Sequence, residues 1–299
     1  MRNNLIFDVG LHKGEDTDFY LRKGYDVVAF EADPELIFQC EERFRSDIEK
    51  GKLIIVEGAI APPSMGQRVS FYKNIQNSVW GTIMPQWVQR NEKRGASSIH
   101  LQVDRVDVAD AFKKYGIPFY LKIDIEGADS LVLEALRAFK DRPQYISIES
   151  SIESKAIKSE LDALSELGYK YFKPIQQAWI ARSTIRAKTI EGRTFDYTFG
   201  PEASGPFGDE LGCRWLTLNE CLRAYDRIFA VYRIFGEKSL LNKLPGAMWA
   251  LAILSRYVVR RPLPGLNRIP GAMPAIAILA SYTVRRPLDG WFDTHARLG

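Results

Sequence analysis

Short apolar runs alternate with longer amphipathic stretches along the first two thirds of the chain. Residues 5–9, 27–31, 53–57, 119–126 and 145–149 are apolar runs of the length of buried strands, and each ends at or near a carboxylate. The stretches between them, at 16–23, 33–49, 106–115, 129–140 and 153–167, carry helical patterning. Punctuation agrees. Gly24 stops the first helix, and Asp33-Pro34-Glu35 opens the second with a cap, a first-turn proline and an acidic residue facing the dipole. Gly168 supplies a left-handed cap to the last. Residues 69–72 and 99–103 read as extended pieces around a polar and aromatic loop at 73–98. Residues 169–173 and 179–182 read as two further strands, 186–213 as a Gly- and Pro-rich loop, and Thr217-Leu-Asn-Glu220 as a capping box opening a helix to about 235. Strand and helix alternate, which predicts an α/β fold with a mostly parallel sheet and helices on both faces. Ligands of such sheets bind outside the carboxyl ends of the strands, where Asp8, Glu31, Glu57, Asp124 and Glu149 fall.

The pattern changes at Asn242. Residues 242–266 and 267–291 are tandem copies, identical at 16 of 25 positions. Each reads as a helix of about fifteen residues bracketed by Pro-Gly and Arg-Arg-Pro, spanning ~22 Å against the ~30 Å of a bilayer core. Neither copy is expected to cross a membrane. The expected division is therefore a domain at 1–241 and a C-terminal helical extension at 242–299.

Charge sharpens that division. The chain carries a net +4, yet residues 242–299 hold eight Lys/Arg against Asp289 and Asp293, a balance of +6, which leaves −2 for the rest. A slightly acidic body argues against a nucleic-acid partner. The repeats combine apolar segments with Arg260-Arg261 and Arg285-Arg286. Two readings stand: helices packed on the domain or a partner subunit, or a bivalent anchor peripheral to the inner membrane leaflet. Cys40, Cys213 and Cys221 share no paired or metal-ligand spacing, which fits a reducing compartment. With the first strand beginning at Leu5, a cytoplasmic protein is expected.

Candidate chemistry concentrates after the first strand. Gly10 and Gly14 bracket a turn, and Glu15-Asp16-Thr17 opens a helix. Strand, glycine turn and helix, followed by a strand ending in Glu31, form a nucleotide-binding βαβ unit. Glu31 suits the two hydroxyls of a ribose, since a carboxylate accepts two hydrogen bonds at once. The spacing is not Gly-x-Gly-x-x-Gly, and no Gly-Lys-Ser/Thr follows. Asp8, Glu15 and Asp16 around the turn would repel a diphosphate but attract the ammonium and sulfonium of S-adenosylmethionine.

Asp8-Val-Gly-Leu-His-Lys-Gly-Glu-Asp-Thr17, Val28-Ala-Phe-Glu-Ala-Asp-Pro34 and Leu121-Lys-Ile-Asp-Ile-Glu-Gly-Ala-Asp129 together resemble the FkbM-type methyltransferases. Ser204-Gly-Pro-Phe-Gly208 with Arg214-Trp-Leu216 looks like a later block of the same family. The resemblance covers roughly residues 3–225; Leu11-His12 departs from the family's usual turn residues. It implies a class I (Rossmann-like) methyltransferase domain that uses S-adenosylmethionine to methylate hydroxyl groups of sugars and polyketides. Gly10 and Gly14 would then approach the methionine part, Glu31 the ribose, and Gly58-Ala59 the adenine, with Asp8 and Asp16 completing the cofactor set.

Methyl transfer to oxygen needs a positioned hydroxyl and a proton acceptor. Asp124 and Glu126 alternate on one strand, so a regular strand points one of them into the cleft, and Asp124 lies at the strand end. His12 is the best placed of the three histidines; His100 and His295 follow. Asp124 and Glu149 could share a divalent metal, but nothing in the spacing requires one, and no metal is expected. Asn77-Ser-Val-Trp80 and Trp87 lie in the loop expected to cover the cleft, where aromatic faces suit a sugar ring. The expected partner is a hydroxyl-bearing small molecule or glycan. The rival readings are a nucleotide-sugar or NAD-dependent enzyme, and a non-catalytic adenosine-ligand scaffold docked through its repeats.

Overall fold

The computed structural model describes residues 1–150, 154–177, 180–235 and 292–299. The chain forms two compact units, Met1–Glu149 with Thr184–Phe207, and Ser150–Ser183 with Gly208–Gly299.

The first unit opens with strand β1 (Arg2–Val9), whose residues 5–9 are all buried. Helix α1 (Glu15–Arg22) and strand β2 (Asp26–Glu31) follow. Helix α2 (Pro34–Arg43) is capped by Asp33, whose side chain accepts from the Glu35 N–H as the sequence suggests. The expected helix to residue 49 breaks at Phe44, and a short helix α3 (Arg45–Glu49) resumes before strand β3 (Leu53–Glu57). Strands β4 (Ala59–Ile60), β5 (Arg68–Asn74) and β6 (Ser98–Val106) form a small sheet in the order β4-β6-β5. The segment expected to be a loop at 73–98 contains helix α4 (Pro85–Glu92). Helix α5 (Val108–Tyr115), strand β7 (Pro118–Ile123), helix α6 (Asp129–Leu136) and strand β8 (Tyr145–Ser150) complete the run.

Strands β3, β2, β1, β7 and β8 lie side by side in that order, and every pairing is parallel. Helices flank this sheet. The chain builds outward from β1 to β2 and β3, then returns to lay β7 on the other side of β1. The reversal makes the β1/β7 boundary the topological switch point, where carboxyl-end loops diverge and leave a crevice. Phe7 on β1 packs on Phe30 and stacks on Phe112, both at 5.4 Å. Full burial of such rings contributes about 1.5–3 kcal/mol each.

In the second unit, helix α7 (Ser154–Glu166) leads through Gly168, at φ 100°, into strand β9 (Tyr169–Gln176). The strand expected at 179–182 does not form. Residues 180–182 make a turn with Arg182 at φ 65°, and Trp179 lies outside the described residues. The chain then contributes a hairpin to the first unit, β10 (Thr184–Lys188) with β11 (Thr194–Thr198), inside what reads as loop. Helix α8 (Leu218–Phe235) opens on the expected capping box: the Thr217 N–H donates to Glu220 Oε2 at 2.9 Å, and the Glu220 N–H to Thr217 Oγ1 at 3.4 Å. Both repeat copies lie outside the described residues. The last segment is strand β12 (Phe292–Leu298), antiparallel to β9. His295 on it is 2% exposed, and burial, with Lys173 adding to it, pushes its pKa down to about 3. That makes it a poor proton acceptor. Among the described residues no helix is long and apolar enough to cross a membrane.

Candidate active site

Two turns meet at the switch point. The first follows β1 and turns through left-handed residues Gly10 (φ 96°), His12 (φ 52°) and Gly14 (φ 76°). Glycine is required at position 10: a Cβ there would lie 1.9 Å from the backbone oxygen of Asp124. At position 14 it would lie 2.3 Å from the Phe44 ring. His12, which has a Cβ, is held left-handed by its neighbours. Its N–H donates to Glu31 Oε2 at 2.8 Å, and its carbonyl accepts from the Cys40 thiol at 3.3 Å.

Glu31 is expected at a ribose, and it does sit at the carboxyl end of β2. Its carboxylate also accepts three backbone N–H groups, from His12, Ala32 and Asp33, at 2.8–2.9 Å. A carboxylate has about four acceptor positions, so capacity remains on Oε2. Desolvation raises the Glu31 pKa, opposed by those N–H groups.

Asp8 and Asp16 are buried rather than lining open space. Asp8 accepts from Thr17 Oγ1 at 2.6 Å and from Lys122 Nζ at 3.3 Å. Asp16 accepts the N–H groups of Ser204 and Gly205 at 3.0–3.2 Å and lies 3.4 Å from Lys122 Nζ. Burial pushes Asp16 up to about 6 against the pull of Lys122, and raises Asp8 as well. Both carboxylates therefore act as braces, and Asp16 pins the 200–206 segment to α1. Lys122 is the residue that sequence reasoning missed. A lysine within an apolar central strand, two residues before the Asp124 carboxylate, is the signal that could have found it.

The second turn follows β7, and here the alternation argument fails. The strand ends at Ile123, and Glu126 adopts φ 48° followed by Gly127 at φ 95°. Asp124 and Glu126 are therefore not alternate residues of one strand. Asp124 keeps 26% side-chain exposure, 3.8 Å from Lys122, and its N–H donates to Val9 at 2.9 Å. Glu126 is buried 3.3 Å from Arg90, and burial with the nearby Asp124 charge pushes its pKa up to about 8. Asp129 caps this turn by accepting from the N–H groups of Ile125 and Gly127, both at 3.1 Å.

Segment 74–97 reaches both turns. Ser78 Oγ lies 2.7 Å from His12 Nε2, and Thr82 Oγ1 donates to the Glu126 carbonyl at 2.8 Å. One Trp87 face carries the Arg90 guanidinium at 3.8 Å, so that face is covered. Gly58 (φ 126°) donates to the Glu31 carbonyl at 2.8 Å, and a Cβ on it would lie 2.4 Å from the Asp104 carbonyl. Ala59 is buried with Val69, Phe71, Val103 and Ala128, and Ala32 and Ile125 pack at the edge of this apolar cluster. His100 stacks on Tyr72 at 5.2 Å on β6. Glu149 ends β8.

Spacing gives no metal-ligand cluster, but folding brings together three side chains of ligand type from distant segments. His12 Nδ1 lies 3.3 Å from the Glu15 carboxylate and 3.6 Å from Glu202. Among the described residues these are the three whose ligand atoms gather within 4.8 Å of one another.

The sequence profile of the methyltransferase FkbM domain matches residues 8–171 of this chain. No curated protein sequence matches it. Similar solved structures include a methyltransferase FkbM from Methylobacillus flagellatus KT, at 15% identity and TM-score 0.36 over 67% of this chain and 45% of that one. A precorrin-6y C5,15-methyltransferase from Geobacter metallireducens GS-15 is similar at 11% identity and TM-score 0.33, over 66% and 76%. The C-terminal domain of precorrin-6Y C5,15-methyltransferase from Rhodobacter capsulatus is similar at 12% identity and TM-score 0.34, over 67% and 78%.

Proposed function

The chain belongs to the methyltransferase FkbM domain family, and from that premise we propose that it methylates a hydroxyl oxygen of a saccharide or glycan precursor. It is an S-adenosylmethionine-dependent methyltransferase. When bound, the cofactor supplies a methyl group already activated on a positively charged sulfur.

The residues fit that cofactor in charge and in shape. Asp8, Asp16 and Asp124 surround Lys122 at 3.3, 3.4 and 3.8 Å, so carboxylates outnumber the cation at the switch point and favour a cationic ligand over a diphosphate. Ala32, next to Glu31 in sequence, and Ile125 are partly buried against the apolar cluster, and in this reading their exposed part meets the flat base. In this reading Glu31 takes a ribose hydroxyl with its remaining Oε2 capacity, and Gly58-Ala59 borders the base. Gly10 and Gly14 let the turn fold close to the ligand. Asp124, partly exposed, orients the acceptor hydroxyl and takes its proton, and His12 stands by on the neighbouring turn as the other candidate base.

The observation that carries a sugar acceptor is the segment bonded to both turns through Ser78 and Thr82. In this reading Asn77, Ser78 and Trp80 on that segment meet the acceptor, being side chains of a type suited to a polyhydroxylated ring. Incubation with labelled cofactor and a panel of glycan and lipid-linked acceptors tests this. Label in saccharide hydroxyls is expected; label confined to amines or carbons would overturn it. Calorimetry with S-adenosylhomocysteine against NAD separates the rival NAD-dependent enzyme.

The basic repeats at 242–291 extend the same reading to location. Together they would hold the enzyme at an anionic membrane surface, each arginine contributing about 1 kcal/mol there. Full-length chain that stays in the supernatant with anionic vesicles at low salt would refute it.

A further inference from the structure

We propose that His12, Glu15 and Glu202 bind a divalent first-row metal ion. Three segments distant in sequence supply the ligands: the turn after β1, the first residue of α1, and the segment that follows β11. The ligand atoms lie within 4.8 Å of one another, with Nδ1 of His12 at 3.3 Å from Glu15 and 3.6 Å from Glu202 Oε2. Neighbouring ligands of a cation held at ~2.1 Å sit ~3.0 Å apart in an octahedron and ~3.4 Å apart in a tetrahedron. The two histidine–carboxylate separations lie near these values, while the cluster as a whole spans up to 4.8 Å and must draw in to hold an ion.

The second observation is the orientation of the imidazole. Its other nitrogen, Nε2, is engaged by Ser78 Oγ at 2.7 Å, the outer-shell arrangement that aims a histidine at a metal. Nδ1 can carry one proton at most, yet two carboxylates converge on it. Sharing that proton leaves the second carboxylate with Lys13, whose Nζ is 3.4 Å from Glu202 Oε2 and whose side chain is 47% exposed. Such an exposed pair contributes little. A divalent cation would satisfy both carboxylates and take the Nδ1 lone pair at once.

The third is access. A cavity of about 420 Å³ is lined by Glu15, Asp18 and Asp196 and also by Arg22 and Arg43; Glu15 therefore borders open space, and the two arginines there pair with Asp18. One imidazole with two carboxylates suits Mn²⁺ or Zn²⁺ better than Mg²⁺ or Ca²⁺. Bound there, the ion would clip the 200–206 segment to the turn, beside the grip that Asp16 already has on Ser204 and Gly205. It would also fix His12 through Nδ1 as Ser78 fixes it through Nε2, which leaves Asp124 rather than His12 as the candidate base.

The test is titration of the full-length chain with Mn²⁺, read by loss of the free-ion paramagnetic resonance signal. One equivalent is expected to bind. Glu202→Gln should weaken it at least tenfold, and Ser78→Ala by about 10–100-fold. Lys13→Ala removes the competitor for Glu202 Oε2 and should tighten binding, which keeps the test decisive if Glu202→Gln fails to fold. Wild-type chain that leaves Mn²⁺ free, Glu202→Gln that binds as tightly as wild type, or Lys13→Ala that binds no more tightly would each overturn the site. None of these readouts depends on the methyl acceptor.

Discussion

The turn after β1 and the turn after β7 are in contact at Gly10 and Asp124 and solve opposite problems. In the first, each carboxylate is surrounded by donors: Glu31 by three N–H groups, Asp8 by Thr17 and Lys122, Asp16 by two N–H groups and Lys122. In the second, Glu126 is buried with Arg90 alongside and sits in a left-handed conformation uncommon for a residue with a Cβ. Carboxylates held by several donors keep their geometry. A carboxylate with fewer donors keeps its proton longer, and so becomes a group whose charge changes in the working pH range. The first turn is built as a frame and the second as the responsive part.

The largest effect should come from breaking the contact between them. Gly10→Ala puts a methyl group 1.9 Å from a main-chain oxygen and asks for alanine at φ 96°. A loss of several kcal/mol is expected, read as a collapse of the melting temperature. Wild-type melting would mean that the two turns are not pressed together. Next in size is Asp124→Asn. With Asp124 proposed as the proton acceptor, the substitution should lower turnover by about 10²–10⁴-fold with little change in cofactor affinity. Full turnover in a folded variant would remove that role.

The responsive turn can also be probed by pH. The Glu126 pKa is raised to about 8 in the folded chain, so its stabilising contribution is complete below the ordinary carboxylate range and is lost as pH rises through 8. Wild-type stability should fall over that window at up to ~1.4 kcal/mol per pH unit, for a total of a few kcal/mol. Glu126→Gln should flatten the curve, and an unchanged slope would assign the titration elsewhere. The smallest effect tests the frame. Glu31→Ala should cost roughly 1.5–3 kcal/mol of cofactor affinity for a charged hydrogen bond lost, measured by calorimetry with S-adenosylhomocysteine. An unchanged dissociation constant would leave Glu31 as a purely structural anchor of His12.

How far the sequence reaches follows the same division. All five parallel strands are legible, because β1, β2, β7 and β8 are largely buried and so mostly apolar, and the edge strand β3 keeps an apolar run although it is partly exposed. The Asp33 and Thr217 caps are legible because capping is local. The frame residues Asp8, Gly10, Gly14 and Glu31 stand out for the same reason, within one βαβ unit. What escapes is set by distant contacts. Lys122 becomes intelligible only with Asp8 and Asp16 around it, and Glu202 only beside His12. The β10–β11 hairpin hides in a polar stretch because its two strands expose every residue but Ala187 and Tyr197 to full or partial contact with solvent. The β7 turn misleads for a different reason: period-two reasoning assumes that the strand continues, and it stops at Ile123.

One feature of the first unit bears on how the protein is made. Phe207 stacks on Tyr120 at 4.1 Å and packs around Tyr20, Tyr25 and Tyr145, while Ser204 and Gly205 satisfy Asp16. These residues leave the ribosome 58 positions after Glu149, the end of the unit's first segment. At about 5–20 residues per second, the nascent sheet waits roughly 3–12 s with an aromatic face uncovered and a buried carboxylate lacking its N–H donors. A growing chain arrested at Glu149 should therefore be a client for chaperones that hold exposed aromatic surface, and release should come once Phe207 has cleared the exit tunnel.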